Sequence, residues 1–388
     1  MNTHLPPYLM ALLISAVCVT APSRPAAAAQ VTVRVENTLA APLTGAIVWV
    51  NVDDPTNVYT DATGAATVSL TTGTNYLIVA RHTSYGAAAP IFPFVTQDTN
   101  ITIVLPPRTG VRVATYNFLG TSPWTTSKTK ALARILWSVQ PDIIFAQETR
   151  TTSLALSTFQ ARYLFGYNQA QSTNWGDIRN AVLSFFPLMN VFMAGAPVMT
   201  RDLFGAETVL PGVGNTTIMS VHYKALKGTS EAATRDTEAR FTAFWCSNLN
   251  VQAKLYMLGG DMNDDVDDAT WLSHVHQILT NYNSGLKRTE PRDDSGKPAT
   301  YVSSSYTSRL DYIYLAGAFM PYLQTARVFR TDTLANRPVW LRTTSGSLAS
   351  DHSLVYVDIT LVPEPAWGLL LAMVLAFSGT RRTCWRPR

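Results

Sequence analysis

The sequence predicts an α/β domain preceded by a small all-β sandwich, and three observations carry this. Residues 30–106 hold short alternating runs of apolar and polar residues separated by turn signals. From about residue 107 to 362, apolar strand-like runs alternate with stretches of helical period, the pattern of an α/β domain. A chain of 388 residues is long enough for both units.

In the first unit the runs are Val31–Val35, Ala46–Val50, Ala66–Leu70, Tyr76–Ala80 and Ile101–Leu105, and turns such as Asp61–Gly64 and Thr72–Asn75 separate them. Short strands at this spacing make a small sandwich. The order Thr60–Gly64, strand, Gly73, apolar strand resembles the carboxypeptidase regulatory-like, transthyretin-related modules of secreted bacterial proteins. Arg34 and Arg81 face Glu36, Asp53, Asp54, Asp61 and Asp98, so the unit is acidic. It carries no catalytic constellation and reads as a spacer or adhesion module. Pro106-Pro107-Arg108-Thr109-Gly110 reads as a stiff linker.

In the second unit, apolar residues Ala131, Leu132, Ile135, Leu136 and Val139 predict a helix over Lys128–Val139. A second runs from Thr234 through Leu249 with Phe241, Phe244 and Trp245 on one stripe. A third, Asp268–Leu279, opens on acidic caps and carries Trp271, Leu272, Val275 and Ile278. Between and around the helices, apolar runs begin or end on polar residues. Asn117 ends Val111–Tyr116, Glu148 ends the run from Pro141, and His222 follows Ile218–Val221. Asp261 and Asn263 follow Leu255–Gly260, Asp311 opens a run to Leu315, and Asp351-His352 precede Ser353–Val357.

Strands converging on one edge would gather these carboxylates, amides and imidazoles into one pocket. Several acids with Asn117 and Asn263 supply the hard oxygen ligands that Mg²⁺ or Ca²⁺ prefers, and a divalent ion offsets phosphate charge. The Gly259-Gly260 pair is read as a tight bend that lets Asp261 and Asn263 point to the same side. His352, beside Asp351 and within reach of Asp311, is placed to be made basic by a carboxylate. One imidazole can then take a proton from water while the other serves the leaving oxygen. His274 and His276 read as surface or packing residues, and Cys246 as a buried small hydrophobe.

The two ends read as address labels. Met1 to about Ala29 has the apolar run Tyr8–Val19 followed by Ala26–Ala29, which suits signal-peptidase cleavage. At the other end Pro363-Glu364-Pro365, an apolar run Ala366–Gly379 and Arg381-Arg382 resemble the PEP-CTERM sorting signal of Gram-negative bacteria. That resemblance implies processing by an exosortase, a transient transmembrane stretch and a place in the cell envelope or outside the cell. Removing both ends changes the charge argument. The chain has Lys+Arg 30 against Asp+Glu 26, but Arg24, Glu364, Arg381, Arg382, Arg386 and Arg388 lie in the labels, leaving 25 of each sign. The apparent basicity is no argument for nucleic-acid binding. Cys18 and Cys384 also lie in the labels, so the remaining chain has one thiol and no internal disulfide.

Residues from about Arg112 to Ile359 resemble the endonuclease/exonuclease/phosphatase superfamily. The blocks that carry the likeness are Ala114–Asn117, Asp142–Glu148, Arg179–Ser184, Val221–Ala225, Gly260–Asp264, Arg309–Ile313 and Ser350–Ser353, in the family's order. The resemblance implies a four-layer α/β/β/α sandwich over residues 107–362, monomeric, hydrolysing a phosphate ester. Asn117, Glu148 and Asp351 would organise the metal, Mg²⁺ with Mn²⁺ or Ca²⁺ as alternatives. Asp261 and Asn263 would bind phosphate or the attacking water, Asp311–His352 and His222 would do acid/base work, and Asn180 would bind substrate. His222 is closer to the deoxyribonuclease and sphingomyelinase branches than to the apurinic endonucleases. Leu119 stands where abasic-site nucleases have an acid, which argues for one main metal site on Glu148. The carboxylate expected to orient His222 has only Asp177 as a substitute. An exported nuclease is the leading expectation. A sphingomyelin or phospholipid phosphodiesterase, which would need exposed aromatic loops at a membrane (Phe185–Leu188 is one candidate but reads better as a core strand), a phosphatase, and an inactive surface-matrix binding protein are the alternatives.

Overall fold

The computed structural model describes residues 27–360 apart from 121–123, 151–154, 174–177, 196 and 304–306. Both address labels and Asp177 lie outside the described residues. Among the described residues no helix is long and apolar enough to cross a membrane.

The first strands are β1 (Ala28–Asn37), β2 (Ile47–Val50), β3 (Thr56–Tyr59), β4 (Ala65–Thr71), β5 (Thr74–Asn75), β6 (Ile78–Arg81), β7 (Phe94–Val95) and β8 (Thr99–Leu105). They form two three-stranded sheets, β4-β1-β8 and β3-β2-β6, with a small β5-β7 pair. Alternate residues of β1, Val31, Val33 and Val35, close a core with Val48, Val50, Ile78 and Ala80. Every residue of β2 and β6 is buried, because the other face of their sheet is covered too. Ile47, Trp49 and Val79 join the core that holds the helix after residue 125. The segment expected to be a spacer is therefore packed onto the rest of the chain.

The second region runs β9 (Gly110–Asn117), α1 (Thr126–Val139), β10 (Ile143–Thr149), α2 (Ala155–Tyr163), β11 (Asn168–Gln171), β12 (Arg179–Ser184), β13 (Leu188–Ala194), β14 (Leu203–Leu210) and β15 (Gly214–His222). It continues through α3 (Thr229–Val251), β16 (Leu255–Asp261), α4 (Val275–Asn281), β17 (Leu286–Arg288), β18 (Tyr301–Val302), β19 (Thr307–Ser308), β20 (Asp311–Ala316), β21 (Leu323–Phe329), α5 (Ser345–Ala349) and β22 (Leu354–Thr360). Sheet one has the order β11-β12-β10-β9-β22-β21 and sheet two the order β13-β14-β15-β16-β20-β17. Each has one parallel pair, β9/β10 and β15/β16, joined by the crossover helices α1 and α3.

Alternation sorts the layers. Val111, Val113, Ile143 and Phe145 face sheet two, while Ala114, Tyr116, Ile144 and Ala146 face α1. The result is the four-layer α/β/β/α sandwich. Helix α1 starts on Thr125, whose hydroxyl accepts from the Lys128 N–H, and stops at Gln140 in the left-handed region before Pro141. Helix α3 departs from expectation. Its buried face is Ala232, Ala239, Ala243, Cys246 and Leu249 together with the polar Arg235, Glu238 and Thr242, while Phe244 is exposed and Trp245 stacks on Phe192 at its flank. Small residues let the helix approach sheet two closely, so the large aromatics mark the margin of the contact. The third expected helix breaks in two: a 3-10 turn Ala269–Trp271 capped by Asp268, then α4. Phe185 and Phe186 are buried in the core, so neither is available to touch a membrane.

The seam between the two regions centres on Asp142, just before β10. Its Oδ1 accepts from Arg81 at 2.5 Å and from Arg108 at 2.9 Å, and its Oδ2 accepts from the Arg112 backbone N–H at 2.9 Å. Arg81 also donates to the Gln140 and Pro141 carbonyls and lies over the Phe185 ring. Trp49 stacks on Trp137 with ring centroids 5.6 Å apart. The expected linker is thus pinned, since Arg108 is buried in this network. Asp142→Ala leaves two buried guanidiniums without their carboxylate and should cost about 3–5 kcal/mol. Equilibrium urea unfolding measures this; a midpoint equal to the wild type's would contradict a load-carrying seam.

Candidate active site

The site is assembled by strand register. In sheet two His222 of β15 lies opposite Asp261 of β16, which lies opposite Asp311 of β20, making one row across three strands. In sheet one Asn117 of β9 lies opposite Gln147 of β10, the residue before Glu148. All these positions fall at one edge of the sandwich, together with Asp351-His352 before β22. The polar ends of the apolar runs do converge.

Asn117 joins the sheets there. Its Nδ2 donates to Glu148 Oε1 and to Asp261 Oδ2, both at 3.1 Å, while its Oδ1 accepts from the Leu119 N–H at 2.8 Å. The amide therefore presents its nitrogen to the carboxylates and organises them. The Ser350 hydroxyl donates to the Asn117 carbonyl at 2.7 Å, which brings the Asp351-His352 turn to the same place. Deeper in, Gln147 accepts from Thr115 and donates to Ser220 Oγ at 3.0 Å, a second polar tie between the sheets.

Glu148 needs special backbone. In a regular strand residues 147 and 148 face opposite ways. Glu148 instead has φ +51°, beside an irregularity in the β10–β12 pairing, and this turns its carboxylate back toward Asn117. Such a conformation costs on the order of 1 kcal/mol for a residue with a side chain. Gly120 packs against it so closely that an added Cβ would lie 1.9 Å from the Glu148 carbonyl oxygen. The Gly259-Gly260 pair has a different purpose from the expected bend. Both lie inside β16, where a Cβ on Gly259 would meet the Phe145 ring of the opposite sheet at 2.1 Å and one on Gly260 the Val221 carbonyl at 2.1 Å. The glycines set the spacing of sheets and strands. The turn is left to Asn263, at φ +47°, whose N–H donates to Asp261 Oδ1 and whose Nδ2 donates to the Tyr223 carbonyl.

The two imidazoles are buried and driven in opposite directions. His352 Nδ1 lies 2.7 Å from Asp311 Oδ2, and its Nε2 lies 3.6 Å from Asp261 Oδ2. Burial alone would lower His352, but the Asp311 and Asp261 carboxylates outweigh it and raise the group to about 10. His222 Nε2 lies 3.5 Å from the same Asp261 oxygen. Burial, then Arg201, then His352 hold His222 well below the usual imidazole range, so it is neutral. Its Nδ1 has no hydrogen-bond partner among the described residues. Burial pushes the Asp261 carboxyl up to about 7.

Asn180 sits on β12 at the same edge, its Nδ2 donating to the Asp202 carbonyl at 2.7 Å, with Oδ1 buried and without a partner among the described residues. Its amide oxygen is therefore an open acceptor at that edge. His274 is an exposed partner of Asp236, and His276 is buried against Tyr314 and Asp264. Cys246 is buried, and burial pushes its thiol up.

Three residues were not read from the sequence. Arg201 donates to the Tyr223 carbonyl at 2.7 Å; burial lowers its guanidinium, and the nearby Asp261 and Glu148 act against that. It lies just before β14 in a segment without periodicity, so nothing signals it. Thr300 Oγ1 accepts from the Leu310 and Asp311 N–H groups, and its carbonyl accepts from Ser353, fixing both ends of the Asp311–His352 pair. Lys128 is buried at the first turn of α1, and there a signal exists: it stands three and four residues before Ala131 and Leu132 on the apolar stripe.

Asp261, Asp311 and His352 bring donor atoms within 4.8 Å of one another, a group able to hold a metal ion, and Asp311 Oδ1 is buried without a partner among the described residues. Four carboxylates at one edge are the hard oxygen donors that a divalent cation takes. A protonated imidazole has no lone pair to offer, so His352 can serve as a ligand only without its Nε2 or Nδ1 proton; Glu148 and Asp351 add further carboxylate oxygens at the same edge.

An edge of this composition on a four-layer sandwich defines a phosphoester hydrolase. The chain belongs to the Endonuclease/Exonuclease/phosphatase family, whose model matches residues 114–352. Enzymes of this family use divalent metals. Among solved structures the chain is similar to TDP2 from C. elegans, with 18% identity, 65% of this chain and 75% of that chain covered, and a TM-score of 0.47. It is similar to the endonuclease/exonuclease/phosphatase from Beutenbergia cavernae, at 17% identity, 66% and 72% coverage and a TM-score of 0.48. It is also similar to the 3'-5' exonuclease (NExo) from Neisseria meningitidis, at 17% identity, 64% and 100% coverage and a TM-score of 0.45. None of the curated proteins matches the sequence.

Gly120→Ala should displace the Glu148 backbone and lower divalent-dependent hydrolysis of an activated phosphodiester by about tenfold or more, since small misplacements at a reacting centre are costly. Steady-state rates with thermal unfolding as a control check this. A variant as active as the wild type would show that Glu148 needs no support from Gly120.

Proposed function

We propose that this protein is an exported, Mg²⁺-dependent phosphodiesterase, a nuclease that hydrolyses DNA or RNA phosphodiester bonds by attack of water. The observation that supports this most directly is the Asp311–His352 pair at 2.7 Å, with Asp261 between both imidazoles. Two histidines held in opposite protonation states around one acid suit a reaction that takes one proton and gives another. The Tyr8–Val19 run and the Pro363–Pro365 tail support export to the envelope of a Gram-negative bacterium, with signal peptidase and exosortase as processing partners and a monomer as the working form.

Glu148 and Asp351, organised by Asn117, would hold the divalent ion, which would supply charge neutralisation and polarisation of the phosphorus–oxygen bond. Asp261, with Asn263 beside it, orients the attacking water and takes its proton, a task suited to a carboxyl raised to about 7. The neutral His222, 3.5 Å from the same oxygen, steadies the Asp261 carboxylate rather than taking its proton, because burial and Arg201 hold the imidazole well below its usual range. His352, kept protonated, offers its proton to the phosphate or to the leaving oxygen. The Asn180 oxygen accepts from the substrate.

Purified protein incubated with plasmid DNA or RNA should cleave it with Mg²⁺, and a chelator should stop the reaction. His352→Ala should lower the rate by about 10²-fold or more. Absence of cleavage across divalent ions, or a fully active variant, would overturn the reading.

The pH profile carries its own signature. Asp261 must be ionised, so the rate rises as pH passes the Asp261 pKa, about 7 before an ion pulls it lower. His352 must be protonated, so the rate falls as pH rises through about 10. Asp311→Asn removes the largest influence holding that proton, so the alkaline limb should move down by about one unit or more. An unmoved limb would take His352 out of the acid role.

A further inference from the structure

Lys128 is a buried ammonium at the metal side of the site, and its surroundings give it a specific task. Its Nζ donates to the Leu119 carbonyl at 2.5 Å. The Leu119 N–H in turn donates to Asn117 Oδ1 at 2.8 Å, and the Asn117 amide nitrogen holds Glu148 and Asp261. Lys128 is thus linked through Leu119 and Asn117 to the Glu148 and Asp261 carboxylates. The residue is only 5% exposed, in a helix whose other buried positions are apolar or aromatic. Isolating an ammonium in such a place is costly unless charges of opposite sign face it. Burial pulls the Lys128 ammonium down to about 8, and Glu148 and Asp351 are the charges that act against that burial, while Arg150 adds to it. They are the same two acids that the proposed function gives to the divalent ion. At Leu119, where an acidic side chain would add a ligand, the chain presents an apolar residue, and the Leu119 carbonyl receives a cation instead.

We propose that Lys128 is a positioning and charge-compensating residue of the metal site. Its ammonium balances Glu148 and Asp351 when no ion is bound and competes electrostatically with the ion, which sets the ion's affinity at a releasable level. The inference rests on the proposed placement of the ion at Glu148 and Asp351, and its test needs no substrate, so it can fail or succeed apart from the nuclease reading.

The experiment is calorimetric titration of Mg²⁺, and of Mn²⁺ as a tighter probe, into the wild type, Lys128→Met, Lys128→Gln and Lys128→Arg, with thermal unfolding to confirm folding. Removing a unit charge near two ligands should tighten divalent binding by about tenfold in the Met and Gln variants. Lys128→Arg should keep the wild-type affinity. The Gln variant separates charge from geometry, because its amide can still donate toward the Leu119 carbonyl. It is also the variant to rely on if Lys128→Met fails to fold. Unchanged or weaker binding in Lys128→Gln would overturn the proposal and leave Lys128 as a purely structural tether. Loss of binding in Glu148→Gln but not in Asp351→Asn would separately overturn the two-ligand placement.

Discussion

The Asn117 amide is the contact on which the site depends, because it makes two sheets into one chemical surface. Glu148 comes from sheet one and Asp261 from sheet two, and each takes a hydrogen bond of 3.1 Å from the same nitrogen. Two carboxylates so close to a common donor repel, and only donors fixed in advance keep them together. Asn117 is fixed in advance: its oxygen is taken by the Leu119 N–H and its backbone carbonyl by Ser350. The spacing that lets one amide reach both sheets comes from Gly259, whose missing side chain is the space filled by the Phe145 ring. A bulkier residue there would push the sheets apart beneath the site, and the loss would be one of geometry as well as packing.

The same convergence sorts the two histidines. Both are buried, so burial alone would make both neutral. His352 escapes because Asp311 sits directly on its Nδ1, and Thr300 fixes the backbone on either side of that pair. His222 shares Asp261 with it at nearly the same distance but faces Arg201, and a neighbouring guanidinium reinforces burial. One central acid flanked by a cationic and a neutral imidazole is a polarised arrangement. It arises from one side-chain pairing on one side and one arginine on the other.

How much of this could be read from the sequence follows from what periodicity encodes. Strand ends are marked by polar residues closing apolar runs, so Asn117, His222, Asp261, Asp311 and His352 were legible, and register then did the rest. The alternation of strands and helices made the α/β class legible, while the four-layer order was implied by the family resemblance and not by the periodicity. Glu148 was legible as an acid closing an apolar run, but the left-handed backbone that aims it was not, because nothing in a run of strand-forming residues announces a bulge. The Gly259-Gly260 pair was misread because glycine serves close approach and tight bends equally well. The α3 face was misread because hydrophobicity favours large residues, whereas a helix lying close to a sheet needs small ones. Arg201 acts from a loop, where residue type alone says nothing about direction.

The N-terminal sandwich bears on the site through β10. That strand leaves Asp142, where Arg81 and Arg108 converge, and ends at Glu148 and Thr149. At about 3.3 Å per residue Asp142 and Glu148 lie roughly 20 Å apart along one strand. A buried carboxylate shared by two guanidiniums and a backbone N–H has little freedom to shift, so the strand's start is held by the module and its end by Asn117. Sites built on elements fixed at both ends hold their geometry better than sites carried on loops. The all-β segment belongs to the support of the hydrolase: the chain supplies arginines from before residue 110 to neutralise an acid that the second region cannot leave bare.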